Sequence, residues 1–360
     1  APLLPQTFYD KLEKIAKERQ IEERTAEIAG KSCSKPWYLH YDNLDAWRVI
    51  MSASLPNILA MLCFIINETV NVLAISHAPN TDITKKKRVA ALAAVALGNM
   101  IQNVFGISVH MGITNVLDTL VSQSYGAGEN NLAASHLKQA RLLCVLTWIP
   151  IIPILLYSED ILLFLGQDPL VAEFAGRYNA ISVWGLLPCR MIECARKFLY
   201  NIKRPFPATV VMISTSVLHV FWAYLFVGHF GLLNVGIGFA NCVTWLIGAV
   251  LLNGYLLYEA DSLKMNRSEL AGFGFGPGGW ASMKKFLRLA GPYLVQQCSQ
   301  WWFWELLALI IGLIDAVSLA AHVSFLTLVA LLLMVSIGIG NTGSAHVGGE
   351  LGAGNVRFQN

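Results

Sequence analysis

The chain has 360 residues, of which 55% are hydrophobic and only 14% are charged, and its formal net charge is +3. Because soluble domains carry about 25% charged residues, this composition excludes an ordinary soluble protein and indicates that the lipid bilayer is its main solvent. The small net charge gives no basis for a nucleic-acid partner.

The first predicted element is a polar N-terminal arm, residues 1–47, that precedes the apolar part of the chain. Within it, residues 7–28 are predicted to form an amphipathic helix in which Phe8, Leu12 and Ile15 share one face. Two interpretations remain open for this arm: a solvated extension, or a segment that docks on another subunit.

Eight apolar runs follow, each long enough to cross the roughly 30 Å hydrocarbon core as a helix. Their residues are apolar at successive positions, whereas the strands of a membrane barrel alternate apolar and polar residues. A helix also satisfies its own backbone hydrogen bonds in lipid, so we predict an all-α integral membrane protein with about eight transmembrane helices. The predicted spans are about 50–76, 89–113, 140–165, 173–200, 207–230, 235–258, 286–314 and 317–341.

The basic residues orient these helices, because loops on the cytoplasmic side are enriched in Lys and Arg. Most of the 26 Lys and Arg residues lie on the same side as the N-terminus. That side is therefore predicted to be cytoplasmic, or the equivalent matrix side of an organelle. The basic run at 85–88 is the local exception.

The sequence carries no motif for catalysis, a cofactor or a metal ion. Its seven Cys are an odd number and form no CxxC pair, which favours a packing role over metal or disulfide chemistry. The eight His are scattered, with no HExxH pattern. We therefore expect neither an enzyme nor a cofactor-binding protein.

Two sequence features occur twice, in the same order. The phrase Gly-Ala-Gly at 126–128 returns at 352–354, which is 226 residues later. Six predicted helices separate the two copies, and because six is even, both copies enter the membrane in the same orientation, as in a parallel repeat. Each Gly-Ala-Gly is expected to end the second helix of its copy and turn the chain. The second feature is a proline early in a span, followed by a glutamate twelve or thirteen residues on: Pro56 with Glu68, and Pro292 with Glu305.

At these residues the sequence resembles the multidrug and toxic compound extrusion (MATE) family. The resemblance is carried by LGNMIQNVFGISVHMG (97–112), LDTLVSQSYGAG (117–128), ARKFLYNIKRPFPATVV (195–211), LRLAGPYLVQQCSQWWFWELLALIIGLI (287–314) and HVGGELGAGN (346–355). It implies twelve helices in two six-helix lobes, and export of organic cations or metabolites against an inward proton or sodium gradient. Against that pattern, the chain is expected to be truncated after the eighth helix.

The resemblance also divides the chain into units. The arm is followed by a six-helix N-lobe at 48–260, a linker at 261–283 and a partial C-lobe of two helices at 284–360. Polar residues of the partial lobe are expected to face helices outside this chain, so that another membrane subunit, bound lipid or water would cover them. These residues are Gln296, Gln297, Gln300 and Glu305.

The seventh helix departs from the family pattern. Members often have Glu-Trp-Trp-x-x-Glu there, whereas this chain has QWWFWE at 300–305, so an amide that cannot exchange a proton replaces the first acid. Further departures at Lys197–Tyr200, Thr327 and His346–Gly349 also fall where coupling would be expected. Together these departures point away from transport.

The N-lobe offers two groups of candidate site residues. A polar stripe of Asn67, Glu68 and Asn71 cannot face lipid cheaply. It either lines a cavity or makes interhelical hydrogen bonds, each worth about 0.6 kcal/mol in membranes. Asp118 and Gln123 match family positions near the end of the second helix, where a structural role is favoured over a substrate contact.

The partial C-lobe offers Glu305. A carboxylate at the bilayer centre costs roughly 2.5 kcal/mol or more, so Glu305 should face the helix bundle or a water-filled cleft. It is either a cation or proton site, with Gln300 and Trp301 beside it, or a hydrogen-bonded residue inherited from an active ancestor. Trp301, Trp302 and Trp304 offer an aromatic cation site, with packing as the favoured alternative.

Two hypotheses follow for the function. The favoured one is a degenerate, non-transporting homologue that acts as an accessory subunit of a larger membrane complex, in an energy-converting organelle such as the mitochondrion. The alternative is a proton- or sodium-coupled antiporter that exports small organic cations or metabolites. The first rests on the short second lobe, the amide at Gln300 and the arm. The second rests on the ancestry that the resemblance implies.

Overall fold

The structure is a computed structural model that describes residues 43–78, 85–312 and 316–354. Every regular element within these residues is helical, as the all-α prediction requires. The predicted arm helix at 7–28 lies outside the described residues. The helices are α1 (Asn43–Ser76), α2 (Lys85–Ile101), α3 (Ser108–Gly126), α4 (Asn130–Leu156), α5 (Ser158–Phe164), α6 (Pro169–Asn201), α7 (Phe206–Ala223), α8 (Leu233–Tyr258), α9 (Arg267–Ala271), α10 (Trp280–Gly312) and α11 (Ala316–Gly352).

Two of the long helices contain a wider turn. Gln102–Ile107 is a π-helix that joins α2 to α3, and the three pieces form one rod from Lys85 to Gly126. A second π-helix, Tyr224–His229, extends α7. Such turns are rare and are often found at functional sites. The first of them is called the π-segment below.

Seven of the eight predicted spans correspond to helices over their described residues, and the exception is the third. Two helices, α6 and α10, have 33 residues each, which is enough to cross a bilayer, but carry polar or charged residues along their length. The chain is therefore an all-α, multi-pass integral membrane protein. Six further segments of the described residues are both long and apolar enough to cross: Ile50–Ser76, Lys86–Gly126, Asn130–Leu156, Phe206–His229, Leu233–Tyr258 and Val329–Gly352.

The third predicted span, 140–165, is wrong as a single helix. Helix α4 begins earlier, at Asn130, and ends at Leu156, after which the short helix α5 follows. The sequence obscured the true start because polar residues of the first turns, such as Gln139 and Arg141, are buried against protein and not against lipid.

Helices α1–α8 pack into one bundle. Helix α6 lies along α8 and also contacts α2, α3 and α4, so it occupies the centre of the bundle. The largest apolar core joins α3, α4, α6 and α8 through buried residues that include Leu117, Leu137, Phe198 and Leu252. With α2, the π-segment and α3 counted as one rod, the bundle has six long helices, the number that the resemblance implies for an N-lobe, and it is called the N-lobe below.

Helices α10 and α11 add to this bundle: α10 packs along α3, and α11 crosses both α1 and α3. Glycine permits the crossing of α3 with α11. A Cβ added at Gly126 would meet the backbone of Gly349, and one added at Gly352 would meet the backbone of Gln123. Small residues let helix backbones approach this closely in membranes.

The crossing follows the 226-residue repeat. Gln123 corresponds to Gly349 and Gly126 to Gly352, so the two close contacts are equivalent. Between them, Ser122 lies against Gly348, its own equivalent in the second copy. A residue that contacts its own equivalent lies on the axis that relates the two copies, as a parallel repeat requires.

Both Gly-Ala-Gly phrases end their helices in the same way. Helix α3 ends at Gly126 and α11 at Gly352, and the last glycine of each phrase, Gly128 and Gly354, has a φ of +77° and +74°. A side chain with a Cβ disfavours that conformation. The prediction that each phrase ends the second helix of its copy and turns the chain is confirmed.

The described side chains of α11 that are buried lie toward its Gly-Ala-Gly end. None of its described side chains at 325–337 is buried. Beyond that point a buried position recurs every three or four residues, which forms one stripe on the helix. The stripe is Gly338, Thr342, Ala345, Gly348, Gly349 and Gly352.

The predicted linker is fastened to α4. The fully buried Gln139 donates from Nε2 to the Phe275 carbonyl (2.5 Å) and to Ser282 Oγ (2.8 Å). Arg141 donates to the Leu270 carbonyl. These bonds hold the connection between the two copies against the N-lobe.

The close helix crossing predicts opposite effects for two alanine substitutions in α11. Gly352→Ala should destabilise the fold by about 1–3 kcal/mol, as overpacking does, because its Cβ would meet the Gln123 backbone. Gly340→Ala is the control, since nothing lies within 4 Å of its Cβ position, and it should be neutral or slightly stabilising because Ala favours helix. Thermal unfolding of the purified protein measures both, and equal midpoints would contradict the crossing.

Candidate functional site

A chain of hydrogen bonds runs through the interior of the N-lobe. The Thr244 hydroxyl donates to His219 Nδ1 (2.8 Å), and His219 Nε2–H donates to Asn71 Oδ1 (2.9 Å). Asn71 Nδ2 then donates to Asn241 Oδ1 (3.3 Å). These side chains come from α8, α7 and α1, and each is at most 3% exposed. Buried polar groups need such partners, and here they satisfy one another.

The chain ends on a carboxylate. Asn241 Nδ2 donates to Tyr178 Oη (3.3 Å), the Tyr178 hydroxyl donates to Asn99 Oδ1 (2.7 Å), and Asn99 Nδ2 donates to Glu68 Oε2 (3.0 Å). Tyr178 is fully buried, whereas Glu68 is exposed. Every donor in the chain therefore points toward Glu68, and bonds aligned in this way polarise one another.

The rod formed by α2, the π-segment and α3 carries Asn99, and it also binds a second acid, Glu305 of α10. Asn103 Nδ2 donates to Glu305 Oε1 (3.1 Å). Asn103 lies four residues after Asn99, so at 1.5 Å per residue the two amides are roughly 6 Å apart along the rod. Glu68 and Glu305 are the two acids of the repeat, and the second helix of the first copy offers an amide donor to each.

The π-segment directs two adjacent side chains to different places. Gln102 is 2% exposed and donates to Asn179 Oδ1 (2.9 Å) inside the N-lobe. The next residue, Asn103, reaches α10 at Glu305. The wide turn thus connects the interior of the N-lobe to the second copy of the repeat.

The expectation that Gln297 and Glu305 face helices outside the chain is wrong. Gln297 is buried and its Oε1 accepts from Asn115 Nδ2 (3.2 Å), and Glu305 is bonded to the π-segment. The reason is that α10 packs along α3, so this face of α10 is covered by the N-lobe. Gln296 and Gln300 are exposed, and for them the expectation remains a prediction.

The other predicted residues lie beside the site or apart from it. Asn67 is not in the chain of hydrogen bonds, and its buried Oδ1 has no partner among the described residues. Trp301 is half-buried. Gln123 lies at the helix crossing, where its backbone faces Gly352. Of the predicted polar stripe in α1, only Glu68 and Asn71 join the chain.

Asp118 belongs to a separate buried cluster. Its carboxylate accepts from Lys197 Nζ and from Asn201 Nδ2 (2.9 Å). The Lys197 side chain is 4% exposed, so this ion pair joins α3 to α6 nearly out of reach of solvent. The arrangement favours the structural role expected for Asp118.

A second buried ion pair lies on α6. Arg196 donates to both carboxylate oxygens of Glu193 and to Asn57 Oδ1 (3.2 Å). Asn57 Nδ2 in turn donates to the Gly338 carbonyl of α11 (2.9 Å). The pair thereby supports the contact between the two copies of the repeat.

The sequence analysis did not identify most of the residues in the chain of hydrogen bonds. A signal was present, because polar residues within apolar spans avoid lipid and face other helices. The sequence does not give the rotation of each helix about its axis, however, so the partner of each residue was not assignable. The missed members are Asn99, Tyr178, His219, Asn241 and Thr244, and Asn103, which binds Glu305, was missed as well.

These features define a class of protein: a membrane protein in which a six-helix bundle is followed by the first two helices of a repeat-related copy, with acids on helices long enough to span the bilayer, as found in secondary transporters. A family model described as MatE matches residues 83–225 and 292–358. The match covers more than half of the chain, so the chain belongs to the MatE family. The resemblance inferred from its motifs is confirmed.

The relatives are transport proteins and proteins named for detoxification. Protein DETOXIFICATION 16 of Arabidopsis thaliana is 29% identical over 268 residues, 74% of this chain and 54% of that protein. Multidrug and toxin extrusion protein 1 of Oryctolagus cuniculus is 27% identical over 316 residues, 88% of this chain and 53% of that protein. The chain thus spans about half the length of these relatives.

A solved structure has the same fold. The crystal structure of the eukaryotic MATE transporter AtDTX14 superposes with a TM-score of 0.72 at 22% sequence identity. The superposition covers 84% of this chain and 64% of that one. It shows that the described helices have the arrangement of MATE transporters.

Substitution of Asp118 tests the structural role of its ion pair. Asp118→Asn should destabilise the fold by about 3–5 kcal/mol, because it leaves a buried Lys197 without its charged partner. The double variant Asp118→Asn with Lys197→Met should recover much of that loss. The exposed pair Glu173–Arg177, at 39% and 62% exposure, is the control, and Glu173→Gln should cost about 1 kcal/mol or less. Unfolding midpoints that match for Asp118→Asn and Glu173→Gln would refute the structural role.

Proposed function

We propose that the protein is an antiporter that exchanges small organic cations or metabolites for protons or sodium ions. The observation that carries this proposal is the pair of repeat-related acids, Glu68 and Glu305, each bonded to an amide of one helix rod. Relatives named multidrug and toxin extrusion protein 1 support the same substrate class here.

The chemistry of exchange follows from charge. An ionised carboxylate within a membrane is costly without a partner, and a proton, a sodium ion or an organic cation can each neutralise it. Because these cations compete for the same negative charge, binding of one favours release of another. Asn99 and Asn103 are neutral, so they position the carboxylates and leave their charge available to the cation.

The chain of hydrogen bonds connects Glu68 to the N-lobe as a whole. Protonation turns a carboxylate from a pure acceptor into a group that also donates. The chain that ends at Glu68 passes through Asn99, Tyr178, Asn241, Asn71 and His219, which lie on five different helices. A change of protonation at the acid therefore acts on the packing of α1, α2, α6, α7 and α8 together.

The accessory-subunit hypothesis loses its chemical support. Gln300, the amide in place of the first family acid, is exposed, whereas Glu305 is bonded to the π-segment. The relatives are named as transporters, and they favour the antiporter over the subunit. They lend no support to a mitochondrial location.

The basic loops suggest the orientation. We place the Gly-Ala-Gly end on the cytoplasmic or matrix-like side, where most Lys and Arg residues were assigned. Helix α11 contacts the N-lobe at that end, from Gly338 to Gly352. The described α11 side chains at 325–337, which are not buried, then lie toward the opposite side of the membrane.

Removal of either acid tests the antiporter. The protein, purified from membranes and reconstituted into proteoliposomes, is given a pH or a sodium gradient, and uptake of ethidium is followed by fluorescence. Glu68→Gln and Glu305→Gln should each lower gradient-driven uptake about tenfold or more, the equivalent of about 1.4 kcal/mol. Glu173→Gln, on an exposed face of α6, is the matched control and should transport normally.

Two results would count against the proposal. Wild-type protein that takes up no ethidium or other organic cation under either gradient, yet co-purifies stably with a large complex, would favour the accessory subunit. Normal uptake by both Gln variants would remove the two acids from the coupling mechanism.

A further inference from the structure

One backbone carbonyl of the π-segment receives two side-chain donors. The Ser108 N–H bonds to the Asn103 carbonyl, five residues back, so it does not serve the Val104 carbonyl as it would in a regular α-helix. The Val104 carbonyl receives the Ser108 hydroxyl (2.8 Å) and the indole N–H of Trp302 (2.9 Å). The indole comes from α10, in the other copy of the repeat.

One face of α10 follows the π-segment along its length. Cys298, Trp302 and Glu305 are four and three residues apart, which places them on one side of the helix. Cys298 Sγ lies 3.7 Å from the hydroxyl just after the segment, Trp302 binds the Val104 carbonyl, and Glu305 accepts from Asn103. Helix α10 therefore contacts the beginning, the middle and the end of the wide turn.

A π-helical turn of this kind can convert to a different hydrogen-bonding register. The Val104 carbonyl has no backbone donor from Ser108, and without the indole it keeps only the Ser108 hydroxyl. Weaker bonding of a carbonyl is costly inside a membrane, and a helix relieves that cost by moving the wide turn along its length or closing it to a regular turn. Either change shifts the register by one residue, which turns a side chain by roughly 100° about the helix axis. The Asn103 amide would then no longer reach Glu305.

We propose that Trp302 is a positioning residue for ion coupling. Its indole N–H holds the Val104 carbonyl, which fixes the register of the π-segment and so keeps Asn99 and Asn103 opposite the two acids. The inference rests on the proposed antiporter function. It assigns the role to the N–H of Trp302 and not to the ring face that a cation–π contact with substrate would use.

Hydrogen–deuterium exchange tests the structural half without any transport assay. Trp302→Phe keeps an aromatic ring at this position and removes the N–H donor, and should speed exchange of the backbone amides at 102–108 several-fold, because opening of the turn becomes easier. Trp301→Phe is the matched control, and should leave that segment unchanged. The second π-helix, Tyr224–His229, packs on α8 and α1 and is the internal reference. Unchanged exchange at 102–108 in Trp302→Phe would overturn the proposal.

Transport kinetics test the coupling half. Trp302→Phe should lower the turnover of gradient-driven ethidium uptake about tenfold, the equivalent of about 1.4 kcal/mol and within the range for one lost hydrogen bond, and leave KM within about twofold. Asn103→Ala should have a similar effect. Because Trp302 acts through Asn103, the double variant should be no slower than Asn103→Ala alone.

The outcomes separate this proposal from the proposed function. A rise in KM with normal turnover would make Trp302 a substrate contact, and losses that multiply to about a hundredfold in the double variant would make it independent of Asn103. Either result overturns the positioning role while the antiporter stands. Wild-type protein without any coupled uptake overturns the antiporter, and the exchange experiment then still decides whether Trp302 holds the π-segment.

Discussion

A carboxylate inside a bilayer needs a partner, and this constraint organises the membrane interior of the protein. Glu68 on α1 and Glu305 on α10 both turn to the rod formed by α2, the π-segment and α3, where Asn99 and Asn103 supply their donors. The amide of Asn99 is fixed in turn by Tyr178, and through it by a series of buried side chains. The positions of both carboxylates thus depend on this rod and on the side chains that fix its rotation about its own axis.

The two copies of the repeat make equivalent contacts at the helix crossing but supply different residues around the acids. At the crossing, Gly126 faces Gly349 and Gln123 faces Gly352, so both copies contribute equally. At the acids, only the first copy supplies amides. With the 226-residue offset, Asn99 and Asn103 correspond to positions 325 and 329, which are Phe and Val. The crossing needs two similar surfaces that fit together, whereas the site requires different side chains on its two sides.

The sequence was sufficient for the features that depend on composition and spacing. Runs of apolar residues predicted the membrane helices. The repeated Gly-Ala-Gly predicted the ends of α3 and α11, because the last glycine of each phrase adopts a positive φ that residues with a Cβ disfavour. The candidates Glu68, Asn71 and Glu305 were found because a polar residue in an apolar run is conspicuous. Their partners were not found, since a pairing such as Asn71 with His219 depends on the rotation of two helices. The π-segment was missed for a similar reason: LGNMIQNVFGIS reads as an ordinary span, and its extra residue per turn is stabilised by contacts from α10 that lie about 200 residues away in the chain.

The hydrogen-bond partner of each buried or membrane-embedded acid indicates whether its charge stabilises the fold or is available for ion exchange. Asp118 is paired with Lys197 and Glu193 with Arg196, so each of these acids is already neutralised by a buried base and has no need of a further cation. Among the described residues, Glu68 and Glu305 have no basic partner and are held by amides. An amide orients a carboxylate without cancelling its charge, so these two acids retain a charge that a mobile cation can neutralise. All four acids belong to helices of one membrane protein, and the choice of neighbour, base or amide, decides which of them stabilises the fold and which is free to exchange ions.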